Sequence, residues 1–183
     1  MGVKEDFIGS SLFGKVAIFV LLAANFFNWI AFCTSQWGKS TTQFSVSYQG
    51  LWRLCSTGSC SPVDGLPLDW FGAVQAFAIF GFVGINVAFL LVILMMFTSK
   101  CKRNGDAGMA TVIICFFSAV CYLIAVIVFA SEFAPDIVVS STFFVINTIE
   151  YSLYLAALAF VLALVSGILL ILDMKKGGGT SPA

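Results

Sequence analysis

The chain has 183 residues, of which 60% are hydrophobic and only 10% charged, and its nine basic and nine acidic residues cancel to a net charge of zero. A mean hydropathy of +1.03 lies far outside the range of soluble domains, so a water-soluble enzyme is excluded, and no basic stripe suits it to nucleic acid. The composition predicts a polytopic membrane protein whose first partner is the lipid bilayer.

A short polar N-terminus, residues 1–11, carries Lys4, Glu5 and Asp6 and precedes the first apolar run, Leu12 to Cys33. A helix needs about 20 apolar residues to cross the hydrocarbon core. This run meets that length and exceeds a signal-peptide core, so residues 12–36 are assigned to a retained first span. Three further runs give spans at 71–97, 109–130 and 151–172, none holding Asp, Glu, Lys or Arg. The intervening segments are a first loop at 37–70, a short polar loop at 98–108, a second outer loop at 131–150 and a tail at 173–183.

Four spans put Lys4, Lys15, Lys100, Lys102, Arg103, Lys175 and Lys176 on one side and only Lys39 and Arg53 on the other. The side richer in bases is the cytoplasmic one, which places both termini inside. Five acidic residues, Asp64, Asp69, Glu132, Asp136 and Glu150, then face outward against two bases.

In the first outer loop Phe44, Val46 and Tyr48 alternate with Ser45, Ser47 and Gln49, the period of a half-buried strand. A second strand is expected through Gly50-Leu51-Trp52-Arg53-Leu54. In the second loop the β-branched and aromatic run from Ile137 to Val145 is expected to add an edge strand. The predicted architecture is an all-α membrane protein, a left-handed four-helix transmembrane bundle carrying a small extracellular antiparallel β-sheet.

Cys55 and Cys60 flank Ser-Thr-Gly-Ser, a connection suited to a hairpin that brings the thiols within bonding range in an oxidising compartment. The pair is expected to form a disulfide, although closing so small a loop stabilises by only about 2 kcal/mol. Cys33, Cys115 and Cys121 read as small apolar helix residues. Cys101, beside Lys100, Lys102 and Arg103 at the membrane boundary, is a candidate for palmitoylation, against an unmodified cysteine. Trp37 and Trp52 suit the zone where a sheet meets the outer leaflet, with the ring buried and the N–H on a polar partner; for Trp37 the plainer reading is an interfacial belt residue.

Asn25, Asn28, Gln75 and Asn86 lie inside the spans. With no intramembrane charge they are expected to hydrogen-bond between helices rather than line an ion path. Ala159, Ala163 and Gly167 form a small-residue stripe suited to close packing within the monomer. The chain has no histidine, hence no His-activated nucleophile or histidine metal site, and no phosphate loop. No catalytic residue, metal site or cofactor is assigned.

Trp37, then Gly50, Leu51 and Trp52, then Cys55 and Cys60, on a four-span topology with Gln75-Ala76 early in the second span, resemble the claudin superfamily. That group includes claudins, peripheral myelin protein, epithelial membrane proteins, lens intrinsic membrane protein and tetraspan subunits of glutamate receptors and calcium channels. The short interval from Trp37 to Gly50 is closer to the myelin and epithelial proteins, whereas the intact Gly-Leu-Trp is closer to claudins. The absence of an Asn-x-Ser/Thr sequon and of an aromatic-Val ending sets the chain apart as a divergent claudin-like member.

The resemblance implies that the signature residues Trp37, Gly50, Leu51 and Trp52 anchor the sheet on the helices, and it implies two functions. One is a junctional protein, homo-oligomeric in cis and trans, that forms an adhesive or paracellular barrier or pore through its outer sheet. The other is an auxiliary subunit of an ion channel or receptor, or a membrane-organising protein of the myelin and epithelial type. For a pore, the outward acidic excess predicts cation preference. Asp64 is the candidate selectivity residue, against a turn-forming role before Gly65.

Overall fold

In hydrocarbon every backbone N–H and C=O has to be satisfied within the protein, and the four apolar runs meet that demand as α-helices. The computed structural model describes residues 11–63, 69–97, 105–133, 138–140 and 143–177. Its helices are α1 (Leu12–Cys33), α2 (Asp69–Phe97), α3 (Gly105–Phe133) and α4 (Tyr151–Gly177). All four are long and apolar enough to cross a membrane. Ser11 caps the start of α1, its hydroxyl accepting from the Gly14 amide at 3.1 Å and also donating to the Asp173 carboxylate of α4. At 22 residues α1 spans about 33 Å, close to the roughly 30 Å hydrocarbon core. At 29 residues each, α2 and α3 run to about 43 Å, longer than that core, a difference taken up by tilt or projection.

Buried positions recur in steps of three and four: Ala17, Leu21, Ala24, Asn28 and Ala31 on α1, and Phe71, Val74, Ala78, Gly81, Ile85, Ala88 and Val92 on α2. The same steps give Ser152, Ala156, Ala159, Ala163, Ser166 and Leu170 on α4. A repeat near 3.5 is that of a left-handed supercoil. Going round the bundle, α1 packs on α4, α4 on α3, α3 on α2 and α2 on α1. The small residues of α4 face inward, and the Ser166 hydroxyl reaches the Ala17 carbonyl of α1 at 3.2 Å. Phe19, Phe26, Leu90, Ile113 and Tyr154 point outward, where the membrane covers them.

Asn25, Asn28 and Asn86 bond between helices as expected, whereas Gln75 does not: its amide reaches the first loop at the Leu51 carbonyl. Asn28 and Tyr122 are both fully buried. Tyr122 on α3 donates to Asn28 Oδ1 on α1, while Asn28 Nδ2 donates to the Phe82 carbonyl of α2 at 3.3 Å. Nearer the lipid, Asn86 Oδ1 accepts from Asn25 Nδ2 at 3.2 Å and from Trp29 Nε1 at 3.1 Å. The Asn28 group ties three helices at one point; the Phe82 carbonyl also accepts from Asn86 Nδ2 at 2.8 Å, so it is the Tyr122 hydroxyl that loses its partner when Asn28 is removed. Asn28→Leu should destabilise by about 1–3 kcal/mol by stranding the Tyr122 hydroxyl. Adding Tyr122→Phe should recover most of that loss, because both polar partners are then gone. Thermal unfolding of the two singles and the double in one detergent measures the coupling, and additive losses would show that no such bond is made.

The sheet has six antiparallel strands, β1 (Gly38–Thr42), β2 (Val46–Gln49), β3 (Arg53–Ser56), β4 (Ser59–Pro62), β5 (Val138–Ser140) and β6 (Phe143–Ile149), in the order β4-β3-β2-β1-β6-β5. Three strand expectations are corrected. Phe44 is not in a strand: the Thr42 amide bonds the Ser45 carbonyl at 2.9 Å and the Ser45 amide bonds Thr42 Oγ1 at 3.0 Å, which closes a turn around it. Gly50-Leu51-Trp52 is not a strand either, because the Gly50 amide folds back on the Arg53 carbonyl at 2.9 Å and β3 starts only there. The second loop supplies two strands, and β6 lies inside the sheet between β1 and β5, so β5 is the edge.

Candidate functional site: the junction of sheet and bundle

A helix end leaves its last carbonyls without intrahelical partners, and at the sheet end of α1 the first outer loop supplies the missing donors. Thr34 satisfies the Ile30 carbonyl with both its amide, at 3.1 Å, and its hydroxyl, at 2.6 Å. The Ala31 carbonyl accepts from Trp37 Nε1 at 2.7 Å, and the Phe32 carbonyl from Trp52 Nε1 at 3.0 Å. Three successive carbonyls are thus capped by side chains, two of them by the indoles singled out in the sequence.

The two rings are held differently. Trp37 is 0% exposed and meets Phe129 edge-on at 5.4 Å between centroids, with Phe133 stacked on Phe129 at 5.1 Å. Both phenylalanines lie in the last turns of α3, where the Phe133 ring fills the space a Cβ at Gly38 of β1 would need, so that end of the helix forms a floor for the sheet. Trp37 is therefore packed inside protein and is no lipid-facing belt residue. Trp52 is half-buried on Phe32, 5.1 Å away, and Phe32 stacks at 4.1 Å on Phe82 of α2.

Gly50 is required by close approach: a Cβ there would stand 2.4 Å from the Ser35 Cα and 2.9 Å from the Thr34 carbonyl oxygen, both backbone atoms. Leu51 is fully buried, and its carbonyl accepts from Gln75 Nε2 of α2 at 2.7 Å. Main-chain bonds complete the seam. The Trp37 amide reaches the Gln49 carbonyl at 2.9 Å, Glu150 the Trp37 carbonyl at 3.0 Å, and Ser152 the Gln36 carbonyl at 3.1 Å. Across the seam the Thr34 and Ser152 hydroxyls are 2.7 Å apart.

Cys55 and Cys60 are bonded to each other as directly opposed residues of β3 and β4. The turn between those strands is Thr57-Gly58, both with positive φ, the hairpin geometry whose twist matches that of the strands. Lys39 and Arg53 are the charged residues of β1 to β4. They share one face with Tyr48 and the disulfide, as the register and the two-residue alternation require. Lys39 Nζ lies 5.9 Å over the Tyr48 ring. Of the outer acids, Asp69 opens α2, Glu132 lies in the last turn of α3 and Glu150 immediately precedes α4. Asp64, Asp136 and Cys101 lie outside the described residues.

No pattern in the sequence marks Thr34, Gln75, Phe129 or Phe133 for this junction. Gln75 left one signal, an amide near the start of an otherwise apolar helix. Among the described residues no group of three or more His, Cys, Asp or Glu could hold a metal ion.

Fold and junction together define a four-span membrane protein carrying a small open antiparallel sheet locked to one end of its helical bundle. The model of the PMP-22/EMP/MP20/Claudin family matches residues 9–170, and the chain belongs to that family, whose members are structural rather than catalytic membrane proteins. It is similar to epithelial membrane protein 1 of Oryctolagus cuniculus, with 29% identity over 166 residues that cover 86% of this chain and 99% of that protein.

Proposed function

We propose that the protein forms cell contacts at the plasma membrane, its sheet standing outside both membranes of a junction and joining copies of the chain side by side and across the gap. The orientation rests on the basic residues, seven on the side of the termini and two on the side of the sheet. Similarity to an epithelial membrane protein supports a place in epithelial membranes, where the sheet would serve adhesion, membrane organisation or a paracellular seal.

The observation that carries this reading is the position of Phe44. β1 leaves the bundle at Gly38 and β2 returns to it at Gln49, so the turn joining them is the end of the hairpin farthest from the helices. There Phe44 is 81% exposed, an aromatic presented to whatever opposes the membrane. Tagged protein in mixed layers of expressing and non-expressing cells tests this. Enrichment is expected where two expressing cells meet and not at mixed borders. Phe44→Ser should weaken it more than about tenfold, since burying a phenylalanine contributes about 1.5–3 kcal/mol. Uniform distribution of the wild type would defeat the adhesive reading. Enrichment that appears only on co-expression of a channel or receptor would favour an auxiliary subunit.

A further inference from the structure

Beside the junction, on the outer flank of α1, Phe32, Cys33, Thr34, Ser35, Trp52 and Arg53 line an open cleft of about 240 Å³. Its chemistry is divided. Phe32 and Trp52 form an aromatic wall, Cys33 adds an exposed free thiol, and Ser35 and Thr34 add hydroxyls. At the rim Arg53 is exposed and pairs with no carboxylate among the described residues. The depth is fixed by α1, which ends at Cys33, so the cleft lies where hydrocarbon gives way to headgroups. A guanidinium at that level suits the phosphodiester of a phospholipid, which it can bind through paired N–H groups. A lone phosphate ion would leave the aromatic wall without a partner, and a neutral acyl lipid would leave Arg53 without one.

We propose that this cleft binds a phospholipid, with its phosphate on Arg53 and its glycerol and upper acyl chain against Phe32, Cys33 and Trp52. Assignment to the outer leaflet rests on the orientation argued above; binding itself does not. The lipid would then brace the Gly50–Arg53 turn from the membrane side.

Native mass spectrometry of the delipidated full chain in detergent tests this with three probes: phosphatidylglycerol, diacylglycerol with the same acyl chains, and inorganic phosphate. One phosphatidylglycerol should be retained. Arg53→Gln should lower its occupancy at least about tenfold, the scale of a lost charge-assisted hydrogen bond. Arg53→Lys should retain part of it, and Lys39→Gln, removing the other cation of that face, should leave it unchanged. Cys33→Phe, which fills the cleft but keeps the charge, should also expel the lipid. Full retention by Arg53→Gln or equal retention of diacylglycerol would overturn the proposal, as would displacement by millimolar inorganic phosphate. Because the readout needs no cell contact, its failure would leave the adhesive role standing, and uniform distribution in mixed layers would leave the lipid site standing.

Discussion

Gly50→Val is expected to abolish folded protein at the cell surface, the largest effect of any single substitution at the junction. The added Cβ would stand 2.4 Å from the Ser35 Cα and 2.9 Å from the Thr34 carbonyl oxygen, and neither can swing aside as a flexible side chain would. Relief requires the link from α1 to β1 to move, which would pull Trp37 from the Ala31 carbonyl and Leu51 from the core. Displacing both costs several times the 1–3 kcal/mol usual for overpacking. Gly72 is the control. It is an exposed residue of α2 with nothing within 4 Å of its would-be Cβ, so Gly72→Ala should express at the wild-type level. Surface biotinylation reads both, and wild-type delivery of Gly50→Val would show that the close approach is not needed.

Trp37→Ala should be nearly as damaging, at about 3–5 kcal/mol for deleting a fully buried large aromatic, with a further loss because the Ala31 carbonyl is left without its donor. Trp37→Phe separates the two contributions by keeping a ring against Phe129 while removing the N–H, and about 1–3 kcal/mol is expected. Trp29, half-exposed on the flank of α1, should tolerate alanine far better. Thermal unfolding in detergent, monitored by retention of the monomer peak, orders the variants. An equal, small effect at Trp37 and Trp29 would mean that both are belt residues.

What was legible in the sequence follows from which forces act locally. Spans are announced by apolar runs, because hydrocarbon tolerates almost nothing else. The hairpin of Cys55 and Cys60 is announced by its connection, since few residue pairs suit a two-residue turn. β1 was hidden because Gly-Lys-Ser-Thr-Thr has no apolar alternation: it is a strand by virtue of pairing with β2 on one side and β6 on the other. Phe44 was misread as a strand residue because its period was right, but the local bonds of Thr42 and Ser45 prevailed. The sequence pointed to Trp37 and Trp52 as anchors with a polar partner for each N–H, but the partners themselves could not be read. The indoles serve carbonyls of Ala31 and Phe32, and Gly50 is small because of Ser35. Such contacts come from the folded path of the chain, which no local pattern encodes.

Hydrogen–deuterium exchange on Trp52→Phe in lipid nanodiscs measures the clamp most directly, since this change keeps an aromatic against Phe32 and deletes only the N–H that reaches the Phe32 carbonyl. Loss of a bond worth about 1 kcal/mol should speed opening of the peptides spanning 31–38 and 46–56 by roughly fivefold, while α2, α3 and α4 exchange as in the wild type. Unchanged exchange in those two segments would contradict a sheet held on the first helix by its indoles.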